Sequence, residues 1–228
     1  MKRKGISQET LKLIACITML IDHVGAVFFP GSFLRTIGRI SFPIYCYLLT
    51  EGVFYTKNRS RYGKRLFIGI LLAEIPFDFL FYGRLYWGKQ SVMLTLFLGY
   101  LFCVAAMHIP GLAQRMLLLI PFAYLGELLH VDYGAWGVIM IGMFMLTKDQ
   151  PKRRLQQVFW LAVISLMISK VTVTVGPLQI PRQLFSLLAL IPIFAYDGSK
   201  RTHNVWIQRG FYLFYPVHLT LLYLLRVM

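Results

Sequence analysis

Long apolar runs, separated by short breaks that carry turn-formers and cations, follow one another along the whole chain. A membrane-spanning helix needs ~20 mainly apolar residues, fewer inside a bundle. Nine segments meet that description, at roughly 11–29, 37–56, 65–82, 92–108, 112–129, 134–147, 155–173, 183–197 and 209–227. The sixth is short, and Lys170 interrupts the seventh. Composition points the same way: 57% of the 228 residues are hydrophobic and 14% are charged, against ~45–50% and ~25% in a soluble domain. The expected fold is therefore all-α, a polytopic integral membrane bundle of about nine transmembrane helices in one domain over residues 1–228.

The formal net charge is +15. In a soluble protein that excess suggests nucleic acid; here the cations gather in the breaks between apolar runs, where they set topology, so no nucleic-acid partner is expected. Clusters at Lys2, Arg3 and Lys4, at Lys57 to Arg65, at Lys148 to Arg154 and at Lys200 to Arg209 alternate with sparser breaks holding Arg35, Arg84, Lys89 and Arg182. That bias predicts a multi-pass protein of the cell membrane with a cytoplasmic N-terminus and an odd number of spans. Membrane lipids are then partners, and the basic loop from Lys57 to Arg65 can hold anionic head groups. Cys16, Cys46 and Cys103 lie in apolar segments without metal-ligand spacing, and no metal is expected.

Within the first run, Asp22 and His23 stand side by side. Charged groups at that depth cost ~2–3 kcal/mol each on insertion scales, and such residues face the protein interior. His23 suits general-base work. Lys12 lies eleven residues upstream, within ~20° of the same helix face. Asp22 is ~100° round from His23, so it either orients the imidazole or bonds a neighbouring helix. Arg39 needs a carboxylate or a phosphate-like partner, which Asp22 or Glu51 can supply, or else it snorkels. Pro43 is expected to free a carbonyl inside the second helix. Glu74 and Asp78, four apart, share a face of the third segment on either side of Pro76, near Arg65. Arg209, Tyr212 and Pro216 share a face of the last segment, with Tyr215 and His218 as a second pair. For each cluster an interhelical polar knot is the alternative to a working site.

Five stretches in order resemble the TraX family, which is linked to N-terminal acetylation of conjugative pilin: Lys12 to Gly25, Ile37 to Gly52, Arg65 to Phe77, Asp132 to Ile141 and Phe211 to Leu219. TraX proteins look like distant relatives of transmembrane acyltransferases that carry a cation, ten residues, then a catalytic histidine in the first membrane helix. Lys12 and His23 match that spacing. The resemblance implies an acetyl-CoA-dependent acyltransferase that moves an acetyl group from cytoplasmic acetyl-CoA to an amine or hydroxyl of a peptide, glycan or small molecule. It implies catalytic roles for His23 and Asp22, and donor-binding roles for Lys12, Arg39, Lys64, Arg65 and Arg209. Glu51, Glu74, Asp78, Tyr215 and His218 become candidates for acceptor binding. The other expectations are a proton-coupled transporter and a non-catalytic membrane assembly protein.

Overall fold

The computed structural model describes residues 5–202 and 204–228. Lys2, Arg3 and Lys4, which carry part of the topology argument, lie outside the described residues. Among those described, ten α-helices dominate: α1 (Gln8–Val27), α2 (Leu34–Gly38), α3 (Ser41–Tyr55), α4 (Arg59–Tyr82), α5 (Val92–Ala106), α6 (Leu112–Leu128), α7 (Gly134–Thr147), α8 (Arg153–Ile168), α9 (Leu190–Ala195) and α10 (Val205–Val227). A hairpin of β1 (Thr172–Val175) and β2 (Leu178–Pro181) precedes a 3-10 helix, Arg182–Ala189.

The helical expectation holds, with three differences in detail. The run 37–56 is not one helix: α2 ends at Gly38, Arg39 and Ile40 turn, and α3 starts at Ser41. Pro43 thus falls in the first turn of α3, where its missing N–H breaks no ladder bond and frees no carbonyl. The run 155–173 stops at Ile168, because Thr172–Val175 alternates threonine and valine and forms a strand. Gly176, at φ +60°, turns that strand into β2, with Val175 opposite Leu178. The third difference is that the run 183–197 splits into the 3-10 helix and α9.

Among the described residues, α1 and α10 are the helices long and apolar enough to cross a membrane. With 15 residues in α5 and 14 in α7, those helices extend only ~21–23 Å at 1.5 Å per residue, short of a ~30 Å hydrocarbon layer. Outward faces are nonetheless apolar. Leu13, Ile17 and Leu20 of α1, Phe67, Leu71 and Ile75 of α4, Leu117, Ile120 and Tyr124 of α6, and Leu213, Val217 and Leu221 of α10 are all exposed. A soluble helix would carry charged residues on such faces.

The chain divides into two compact units. One comprises Met1–Leu48 with Ser165–Met228, the other Leu49–Ile164. In the first, α1 packs against α2 and α10. Ser41 Oγ donates to the Ala15 carbonyl at 2.9 Å, tying the start of α3 to α1. In the second, α7 packs on α5 and α6, and Tyr100 donates to the Arg59 carbonyl at 2.8 Å. Close helix approach there needs glycine, because a Cβ at Gly99 would run into the Ile141 side chain. Gly99→Val should therefore overpack the α5–α7 contact and cost ~1–3 kcal/mol. A lowered thermal midpoint in detergent, against no loss in Gly210→Val where nothing lies within 4 Å of a new Cβ, checks this.

Candidate functional site

The site in the first unit is built from two adjacent residues of α1 that face different neighbours. His23 turns toward α10, where its Nδ1 lies 2.7 Å from Nε2 of His218. The ring planes differ by 6° and the centroids are 5.0 Å apart. That separation is the nitrogen–nitrogen distance plus two ring radii, so the bond lies in the plane of both rings. His218 Nδ1 also lies 2.7 Å from the Phe214 carbonyl oxygen, one turn back in α10.

These contacts set the tautomers. A carbonyl oxygen only accepts, so His218 Nδ1 carries its proton. In a neutral ring its Nε2 is then an acceptor, and His23 Nδ1 must donate to it. The remaining nitrogen of a neutral His23, Nε2, carries the lone pair. It has the electronic form a general base or nucleophile needs. Buried Tyr215 lies alongside, its ring centroid 6.1 Å from that of His23 and 5.6 Å from that of His218. Phe214 stacks on His218 at 4.7 Å.

Asp22 faces α2. Its Oδ1 accepts from Arg39 Nη2 at 2.5 Å and lies 3.6 Å from Arg35 Nε. Arg39 also donates through Nε to the Arg35 carbonyl at 3.0 Å. Of the two partners open to Arg39 from the sequence, Asp22 is the one it meets. Glu51 pairs instead with Lys148, Nζ to Oε1 at 2.5 Å. The ion pair also explains Gly38: a Cβ there would occupy the space of the Asp22 side chain.

Lys12 is on the same stripe as His23 and also faces α10, its Nζ 5.4 Å from the Phe211 ring centroid. Arg209, two residues before Phe211, is exposed and lies over Trp206 at 5.1 Å. The structure thus gathers Lys12, Asp22, His23, Arg39, Tyr215 and His218 along α1 and its neighbours. Arg35 joins them without having been singled out; its place one turn before Arg39 was the available signal. A second contact missed in the sequence is Cys16 Sγ with Tyr45 Oη at 3.2 Å.

The other predicted residues belong to the second unit. Lys64 and Arg65 are exposed, and Arg65 lies over the Tyr62 ring at 5.7 Å. Glu74 accepts from Ser91 Oγ at 2.8 Å and from the Ser91 amide. Asp78 Oδ2 accepts from the Tyr86 amide at 2.9 Å. These two carboxylates secure the chain that leads from α4 into α5, as side-chain acceptors for backbone N–H groups do elsewhere. Among the described residues no group of His, Cys, Asp and Glu could hold a metal ion.

A helical chain with this histidine pair and adjoining ion pair matches a known family over nearly its full length. The chain belongs to the TraX protein family, whose model matches residues 7–226. It is similar to the "Probable fimbrial assembly protein FimC, serogroup H1" of Dichelobacter nodosus, with 30% identity covering 93% of this chain and 92% of that protein. It is also similar to "Uncharacterized protein RP591" of Rickettsia prowazekii (strain Madrid E), with 32% identity over 40% of this chain and 34% of that protein. No solved structure matches.

Removing the Asp22 charge would leave two guanidinium groups without their carboxylate. Asp22→Asn should cost ~3 kcal/mol, as loss of one partner of a buried pair does. Gly38→Ala should weaken the same pair by displacing Asp22. The double variant should therefore lose less than the sum of the two single losses, measured as thermal unfolding in detergent; additive losses would place Gly38 outside this interaction.

Proposed function

We propose that this protein serves the assembly of a surface fibre, and that its part is an acyl transfer carried out at His23. The observation that carries the reading is the histidine pair, because His218 and the Phe214 carbonyl direct the His23 lone pair to Nε2. Support for the assembly context comes from the D. nodosus relative, described as a fimbrial assembly protein.

In this reading the chain is a multi-pass membrane protein with its N-terminus in the cytoplasm. The exposed apolar faces of α1, α4, α6 and α10 suit a lipid surrounding. Acetyl-CoA is the acyl donor. The cations proposed to meet its phosphates are Lys12 on the α1–α10 seam and the exposed Arg209. An amine or hydroxyl of a fibre subunit is the acceptor. His23 Nε2 takes its proton as the new bond to the acetyl carbon forms and the carbon–sulfur bond breaks, with the electron pair leaving on the CoA sulfur. The charge gained by His23 is shared with His218 through the Nδ1–Nε2 bond.

A specific observation favours a second reading, a non-catalytic assembly protein. The carboxylates discussed above already have partners within the fold: Asp22 on Arg39, Glu51 on Lys148, Glu74 on Ser91 and Asp78 on the Tyr86 amide. Such pairs also fit a purely structural role.

One experiment separates the two. Membranes containing the protein are supplied with radiolabelled acetyl-CoA, and label in membrane and fibre-subunit fractions is counted. Acyl transfer predicts that His23→Ala removes it by at least ~10²-fold with the protein still inserted, and that His218→Ala lowers it while leaving some. Equal label with and without His23, alongside normal fibre formation, would leave the assembly reading standing.

A further inference from the structure

The Asp22 ion pair sits among more positive charge than it can balance. Besides Arg39 and Arg35, Arg182 lies within Coulombic range of Asp22. Arg182 opens the 3-10 helix, which packs against α2; the Phe33 and Phe185 rings meet edge to face at 6.2 Å across that contact. Arginine stays protonated in proteins, so three guanidinium groups share one carboxylate. The side-chain carboxylates of this unit are Glu9, Asp22 and Asp197. Glu9 accepts from the Arg201 and Thr202 amides, and Asp197 pairs with Arg201.

Donors are also left over. Arg182 Nε and the Gln183 side-chain Nε2 are buried and have no hydrogen-bond partner; Gln183 is only 4% exposed. An unsatisfied buried donor costs ~1–3 kcal/mol, and like charges in a partly buried setting add to that. Surplus positive charge and unused N–H groups are complementary to one kind of ligand group.

We infer that Arg35, Arg182 and Gln183, with Arg39 fixed by Asp22, form a binding site for an oxyanion, a carboxylate or phosphate group carried by a ligand. The planar guanidinium fork matches two oxygens of either group, and the Gln183 amide supplies a further N–H. The site adjoins the residue before His23 in α1, so a ligand held there by its anionic group is anchored beside the histidine pair. Anion binding stands on these residues alone and does not require that His23 transfers an acyl group, so the two ideas fail separately.

The test is calorimetric titration of the full chain in uncharged detergent and chloride-free, low-salt buffer, with inorganic phosphate in one arm and acetate in the other. Saturable binding is expected in at least one arm, with a matching rise in thermal midpoint. Phosphate alone identifies a phosphate-bearing ligand, acetate alone a carboxylate; either supports the site. Arg182→Gln and Gln183→Met should each weaken binding at least tenfold, and Arg84→Gln, an exposed residue of the other unit, should leave it unchanged. Gln183→Met keeps the size and the neutral charge, so it decides the matter if Arg182→Gln does not fold. No saturable binding in either arm, binding retained by both variants, or binding that follows Arg84 equally would overturn the inference.

Discussion

Two consecutive residues of α1 that face different neighbours organise the first unit. At ~100° per residue, adjacent positions in a helix address different neighbours. Asp22 meets the guanidinium groups carried by α2 and the turn after it, while His23 meets the imidazole of α10. Each contact joins polar groups that would be costly left alone in an apolar setting, so the two together fix the rotation of α1 about its axis. With that rotation set, Lys12 falls against Phe211 near the other end of the same seam.

The histidine pair has a directionality that a simple contact would lack. A carbonyl acceptor at one end orders the hydrogen bonds from α10 to α1, and the order ends with the lone pair of His23 on Nε2. The Asp22 ion pair lies one residue away on a different face of α1, where Arg35 and Arg39 surround the carboxylate. Membership of the TraX family and similarity to a protein described as a fimbrial assembly protein of D. nodosus stand beside this geometry. They do not specify the reaction, which is why the histidine pair carries the functional reading.

Much of this was legible from helical spacing. The shared face of Lys12 and His23, and the divergence of Asp22 from it, follow from the sequence alone and recur in the structure. What spacing cannot give is the partner across the fold: 195 residues separate His23 from His218. The sequence paired His218 with Tyr215 as neighbours on one helix, and the structure keeps that contact while adding the one to His23. In the sequence Arg182 is only a loop cation, since nothing local tells that the hairpin brings it within Coulombic range of Asp22. The hairpin itself was legible in the Val-Thr alternation and was lost because hydropathy alone counts those valines as part of a span. Helix length was overread for a similar reason: Gly38-Arg39 looks like a polar blemish in an apolar run, but it is a turn that delivers Arg39 to Asp22.

The function of the pair depends on where its protons sit, and nitrogen-15 NMR of histidine-labelled protein reads that directly. The expected state of the neutral pair is a His23 ring protonated at Nδ1 and unprotonated at Nε2, coupled through a hydrogen bond to a His218 ring that is likewise protonated at Nδ1. A His23 ring protonated at Nε2 with a bare Nδ1, or a His218 signal that does not respond to His23→Ala, would contradict it.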